Sequence, residues 1–144
     1  MLISEILRIK GSTLFTTAPE ALVVEAVKVM AQHDIGSLVV MDHGRMSGIV
    51  TFSEVLSALA GREGTLGALK VSEIVERDPL TATGTMDVNE LRRTMLDRHA
   101  RYVPVLDGTT LQGVVSFHDV AKAVLEEQSF ENRMLKSYIS DERA

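Results

Sequence analysis

Apolar residues in this chain follow two periods that take turns. Leu22, Val23, Ala26, Val27 and Met30 fall at helical spacing, and so do Val88, Leu91, Met95 and Leu96; each set predicts a helix with one face toward a core. After each set come two apolar runs rich in β-branched residues. The first pair spans residues 38–41 and 46–51, split by Asp42-His43-Gly44, and the second spans 102–106 and 111–115, split by Asp107-Gly108. Asp and Gly between such runs predict tight turns joining paired strands. A short extended stretch precedes each first helix (14–17 and 80–83), and a closing helix follows each strand pair (52–59 and 117–127). Beyond Gln128 one more helix is predicted. Phe130, Met134 and Tyr138, with Leu135 and Ile139, lie to one side of it, a stripe suited either to the protein's own core or to a second chain.

The elements repeat because the sequence does. Gly48-Ile49-Val50-Thr51-Phe52 returns as Gly113-Val114-Val115-Ser116-Phe117. The same spacing of 65 residues, the distance from Gly48 to Gly113, pairs Thr16 with Thr81, Val23 with Val88, Glu25 with Glu90, Met30 with Met95, Val40 with Val105 and Val55 with Val120. Upstream, Ile3-Ser4-Glu5-Ile6-Leu7 matches Val71-Ser72-Glu73-Ile74-Val75 three residues further apart, so the first copy carries three extra residues near Lys10. Matches in one register imply duplication. The expected architecture is α+β: two pseudo-symmetric β-α-β-β-α units packed through their sheets, plus a C-terminal helix. The units span 1–67, the first with its linker, and 68–127, followed by a helical tail at 128–144. Residues 61–67 are glycine-rich but lack the Gly-Lys-Ser/Thr ending of a phosphate loop, and read as a connector.

The chain has 144 residues, is 45% hydrophobic and 24% charged, and has a net charge of −5. An acidic balance argues against a nucleic-acid grip. The apolar runs are too short to span a bilayer, and the first residues lack the pattern of a secretion signal. No cysteine is present, which removes thiol catalysis and thiolate metal sites and makes a cytoplasmic chain the expectation. Among its cations, Lys10, Arg92, Arg93, Arg98 and Arg101 read either as a solvated surface or as one or two contacts to phosphate.

Thr51 and Ser116 each end a strand just before a helix. A hydroxyl there caps the helix or meets an anion at its N-terminus. Asp119, one turn on, offers two acceptor oxygens suited to paired ribose hydroxyls, or else simply favours its own helix dipole. Ser116, His118 and Asp119 are too close together in sequence to form a catalytic triad, whose members converge from separate segments. His33, His43 and His99 show no metal-ligand spacing. No metal site and no enzyme activity are expected.

The segments Ile35-Gly36-Ser37-Leu38-Val39-Val40, Gly48-Ile49-Val50-Thr51, Arg101-Tyr102-Val103-Pro104-Val105 and Gly113-Val114-Val115-Ser116-Phe117-His118-Asp119 make each half resemble a cystathionine-beta-synthase (CBS) domain. The pair, over residues 1–127, resembles a Bateman module, and the tail resembles the ending of small bacterial proteins made only of this pair. The resemblance implies two equivalent clefts between the repeats, a disc-like homodimer, and regulatory rather than catalytic binding of adenosine ligands: AMP, ADP, ATP, NAD or S-adenosylmethionine. Its ribose signature, Thr or Ser followed three residues later by Asp, falls on Ser116 and Asp119, and on Thr51 with Glu54. Each cleft joins the carboxylate of one repeat to strands of the other. The first candidate site is Ser116 and Asp119 with Leu14, Phe15, Ser37 and Leu38, and Lys10 near the phosphate. The second is Thr51 and Glu54 with Leu80, Thr81, Arg101, Tyr102 and Pro104. Two departures stand out: Glu54 in place of Asp, and Gly36 where the other repeat has Arg101. The implied function is a nucleotide sensor acting on a separate effector protein; a ligand-free dimerisation or docking module is the alternative.

Overall fold

The structure is a computed structural model that describes residues 1–11 and 13–143, with side chains described as far as Tyr138. Its elements run α1 (Ile3–Lys10), β1 (Thr16–Thr17), α2 (Val23–His33), β2 (Ser37–Asp42), β3 (Arg45–Thr51), α3 (Phe52–Gly61), a 3-10 turn (Val71–Glu73), α4 (Val88–Arg98), β4 (Tyr102–Asp107), β5 (Thr110–Ser116) and α5 (Phe117–Arg143). The predicted helices that follow each extended stretch, the closing helix of the first repeat and both hairpins are present. His43 and Gly44 turn the first hairpin at positive φ, and Gly108 turns the second.

The duplication holds at the level of register. In the first sheet β1 runs parallel to β2, with Thr17 opposite Val40, and β2 pairs antiparallel with β3, with Val39 opposite Ile49. In the second, β4 pairs antiparallel with β5, and Ala82 bridges Val105 in place of a full β1. Both hairpins slip register at the same place, after Val40 and after Val105. Helices α2 and α4 both end on a left-handed residue, Asp34 and His99, two of the few non-glycine types that tolerate that conformation.

The leading segment of each repeat packs into the other repeat. Ile3 and Ile6 are buried with Ala82, Val88, Leu91, Val103 and Val115. Leu69 and Val71 are buried with Val23, Ala26, Leu38, Val40 and Val50. Backbone bonds fix the exchange. The Ile3 N–H donates to the Met86 carbonyl (3.0 Å) and the Ser4 N–H to Gly84 (2.9 Å); the Val71 N–H donates to Ala21 (2.8 Å) and the Ser72 N–H to Pro19 (2.9 Å). The repeated glycines of the β-strands make room for these segments. A Cβ at Gly48 would overlap the Glu76 carbonyl, and one at Gly113 would sit 2.9 Å from the Leu7 side chain. A unit of this size buries little core alone. Exchange completes both cores and fixes the two repeats relative to each other.

The end of the chain differs from expectation. In place of a closing helix followed by a separate one, α5 is a single helix of 27 residues. Residues 117–138 contain no Gly or Pro, so nothing stops it. Its first part buries Val120, Ala123 and Val124, whereas every residue from Gln128 to Tyr138 is exposed. The side chain of Ile139 lies outside the described residues. No helix among the described residues is long and apolar enough to cross a membrane.

Candidate functional site

Two cavities lie where the repeats meet. The wider, about 820 Å³, is lined by Lys10, Leu14, Phe15, Ser37 and Ser116 of the first candidate set. The narrower, about 420 Å³, is lined by Thr51, Glu54, Leu80, Arg101 and Tyr102 of the second. Leu38, Thr81, Pro104 and Asp119 line neither; Asp119 sits behind the rim of the wider cleft, where the lining residues Lys10 and Ser116 hold it. Strand alternation turns Leu38 into the first core, next to Ser37, which faces the cavity. Pro104 is buried in β4.

In the wider cleft, β5 delivers Ser116 to the start of α5, and the two form a reciprocal cap. The Ser116 N–H donates to Asp119 Oδ2 (2.8 Å), and the Asp119 N–H donates to Ser116 Oγ (3.1 Å). The Lys10 ammonium, expected near a phosphate, instead donates to Asp119 Oδ2 at 2.7 Å and to the Val114 carbonyl at 2.9 Å. Lys10 ends α1, which the exchange of leading segments brings against β5. Burial pushes the Asp119 carboxyl up, but the hydrogen bonds from Lys10 and Ser116, with the Lys10 charge, outweigh it and hold the group below its ordinary value. Phe15, Ile35, Phe52 and Phe117 give this cleft apolar walls, and Phe15 stacks against His33 with centroids 4.6 Å apart.

The narrower cleft repeats the cap with different electrostatics. The Thr51 N–H donates to Glu54 Oε1 (2.9 Å), the Thr51 hydroxyl reaches both carboxylate oxygens (3.0 and 3.1 Å), and the Ser53 N–H donates back to Thr51 Oγ1 (3.2 Å). The extra methylene of Glu54 lets it fold onto its own threonine. Glu76, absent from the sequence-derived set, lines the cleft as well. Although Glu76 as a whole residue is exposed, partial burial of its carboxyl raises its pKa, the Glu54 charge raises it further, and Arg98 offsets part of this. His99 and Pro79 also line this cleft. Applying the 65-residue offset to Asp34 and Leu14 finds both. Of the cations noted in the sequence, Arg101 borders both clefts, Lys10 the wider and Arg98 the narrower, while Arg92 and Arg93 border neither.

Arg101 and Tyr102 form the wall between the clefts. The guanidinium lies 5.3 Å from the centre of the Phe52 ring, and Phe52 meets Tyr102 edge-on at 6.1 Å. A Cβ at Gly36 would overlap the Tyr102 hydroxyl. Glycine at position 36 is therefore a packing requirement, and the wider cleft has no room there for a second arginine. Pro104 introduces another asymmetry. In the first repeat the Val39 N–H donates to the Phe15 carbonyl (3.4 Å). Proline at the equivalent position has no N–H, so Leu80 loses that ladder bond, and the strand it would join shrinks to the Ala82 bridge.

Among the described residues, no three His, Cys, Asp or Glu side chains converge as metal ligands would.

Comparison with known proteins agrees with this geometry. The family model of the CBS domain matches residues 5–61 and 71–126. A mitochondrial CBS domain-containing protein of Arabidopsis thaliana, CBSX3, is 32% identical over 147 residues, covering 95% of this chain and 71% of that protein. The crystal structure of the CBS-domain containing protein ATU1752 of Agrobacterium tumefaciens superposes with a TM-score of 0.81 at 28% identity, over 85% of this chain and 98% of that one. The CBS domain pair of protein MJ0100, solved in complex with 5′-methylthioadenosine and S-adenosyl-L-methionine, has a TM-score of 0.78 at 26% identity, over 88% of this chain and 98% of that one. Two matched segments, two cores and two clefts in one register place the chain in the CBS domain family, as a tandem pair.

Proposed function

We propose that this protein is a regulatory sensor that binds an adenosine-containing ligand between its two CBS repeats and signals to a separate protein. One observation carries the reading: the wider cleft joins apolar walls from both repeats to the Ser116 hydroxyl at the start of α5 and to Lys10, whose ammonium holds the Asp119 carboxylate at the cleft's edge. A purine is held by apolar surfaces with a few placed polar groups, and a ribose offers two donors to a carboxylate. The complex of the MJ0100 pair supports the same ligand class. Because the cleft is shared, a ligand there biases how the repeats pack, and a partner that prefers one packing senses the difference.

A second reading, a docking module with no ligand, has its own support. Lys10 holds Asp119, and Thr51 holds Glu54, so both carboxylates are satisfied from within the chain. Thermal unfolding with adenosine, AMP, ATP, NAD and S-adenosylmethionine separates the two. A ligand at one hundred times its dissociation constant stabilises the fold by about 2.7 kcal/mol; no shift with any of the five favours docking. For a phosphate-bearing ligand that does bind, Arg101→Ala weakens it more than adenosine, and equal loss removes the arginine from the site.

A further inference from the structure

We infer that the two clefts compete for one guanidinium, Arg101, so that a phosphate-bearing ligand held in one cleft weakens the binding of a second such ligand in the other, while uncharged ligands fill the two clefts independently. The inference rests on the ligand reading above and adds the regulation of that site. Arg101 borders both clefts, as do Tyr102 and Phe117. Its side chain is exposed, and among the described residues it forms no ion pair with a carboxylate. Its charge rests over the Phe52 ring at 5.3 Å, a weak contact at an exposed site that a phosphate oxygen readily replaces. The other cations at the clefts are already engaged. Lys10 holds Asp119, and the Arg98 charge acts on Glu76.

Pseudo-symmetry would supply a second arginine, and the packing forbids it. The Phe52 N–H donates to the Gly36 carbonyl (3.0 Å) as the Phe117 N–H donates to the Arg101 carbonyl (2.8 Å), so position 36 is the counterpart of position 101. A Cβ at Gly36 would overlap the Tyr102 hydroxyl. One cation therefore stands where a symmetric pair would have two. A guanidinium grips phosphate through a planar fork aimed at a single anion. A second phosphate brought near it finds the fork taken and meets the charge of the first. Such coupling is reciprocal: whichever cleft fills first disfavours the other.

Fluorescence titration of the full chain tests it. The chain has no tryptophan, so Leu14→Trp reports on the wider cleft and Leu96→Trp on the narrower, each position being exposed and lining that cleft alone. Ser37→Phe plugs the wider cleft and Ser53→Phe the narrower, and each plug is read with the label in the open cleft. Whichever cleft fills second with AMP gains affinity roughly 10- to 100-fold when the other is plugged, the worth of a hydrogen bond to a charged group. Adenosine midpoints do not move, and Arg101→Ala abolishes the gain for AMP. A second measurement needs no plug: in the open chain, Arg101→Ala brings the two AMP midpoints closer by the same factor. An AMP midpoint that ignores the plug, a gain that survives Arg101→Ala, equal gains for AMP and adenosine, or AMP midpoints that Arg101→Ala shifts equally would each overturn the inference. Saturable AMP binding without the gain removes this inference alone. No response of either label to AMP or adenosine removes the sensor reading with it.

Discussion

The two clefts share a backbone plan and differ in how their charges are arranged. At the edge of the wider cleft the Asp119 carboxylate meets the Lys10 ammonium at 2.7 Å. In the narrower cleft two carboxylates, Glu54 and Glu76, sit near Arg98 and Arg101. The first arrangement favours ionised Asp119, and the second opposes ionised Glu76. A handful of positions account for this: Asp119 against Glu54, Gly36 against Arg101, and a cation delivered by α1. Duplication conserved the scaffold and left the side chains at the cleft rims to diverge, so the clefts are expected to respond differently to one ligand.

The largest expected difference lies in ligand binding. Asp119→Ala removes a charged acceptor for the ribose, an interaction worth about 1.5–3 kcal/mol, and weakens adenosine roughly 10- to 100-fold by calorimetric titration. Glu54→Ala changes affinity only a few-fold, since both oxygens of Glu54 already accept from Thr51. Equal losses in the two variants would mean that the clefts are functionally alike despite their chemistry.

The wall between the clefts yields the next effect. Gly36→Ala forces a methyl group into the Tyr102 hydroxyl and costs about 1–3 kcal/mol of stability, as overpacking does. The counterpart change, Arg101→Ala, gives up a contact over Phe52 worth about 0.5–1 kcal/mol at an exposed site. Urea unfolding measures both. Combining Gly36→Ala with Tyr102→Ala recovers part of the loss only if the ring is the obstacle.

Lys10→Ala has a smaller effect with an informative sign. The ion pair is partly exposed, 39% at Lys10 and 19% at Asp119, so its loss lowers stability by about 1 kcal/mol. If Lys10 competes with the ribose for Asp119, adenosine binds more tightly in the variant. If Lys10 serves the phosphate, AMP binds less tightly while adenosine is unchanged. The same titrations distinguish these outcomes.

These contrasts also mark what the sequence could and could not reveal. Periodicity located α2, α4 and both hairpins, because a face buried by one element repeats at that element's own spacing. The 65-residue offset predicted two like units, and the family resemblance predicted the paired clefts and five lining residues of each. It did not reveal that Ile3 and Ile6 enter the other repeat's core: an apolar face shows that it is buried, not against what. That exchange also carries Lys10 to Asp119, 109 residues away in sequence, beyond the reach of any local pattern. Glu76 was missed for a related reason, since it lies in the connecting region where the repeats lose register. Pro104 has no N–H, but the effect of this needs a known ladder partner, and only the first repeat's pairing, where Val39 donates to Phe15, identifies that partner as Leu80. The unbroken α5 was readable from its lack of Gly and Pro. The end of core-facing burial near Glu127 was mistaken for the end of an element.

The smallest expected effect is a pH dependence of opposite sign at the two clefts. Asp119 is held below its ordinary value of 3.8, so its contribution to stability is present above that value and is lost as pH falls through the folded pKa. Glu76 is held above its ordinary value of 4.5. The folded state prefers it protonated, so its contribution is full below 4.5 and is lost as pH rises through the folded pKa. Replacing each acid by its amide isolates the two effects, because each change removes one titrating group together with its coupling to its neighbour. Asp119→Asn is less stable than wild type at pH 7, and the gap closes as pH drops below 3.8. Glu76→Gln is more stable than wild type at pH 7, and its advantage fades as pH falls toward 4.5. Urea midpoints measured every half unit between pH 3 and 7 give both curves. Parallel curves would mean that neither burial nor the Glu54 charge raises Glu76 in solution, and the electrostatic contrast between the clefts would be lost.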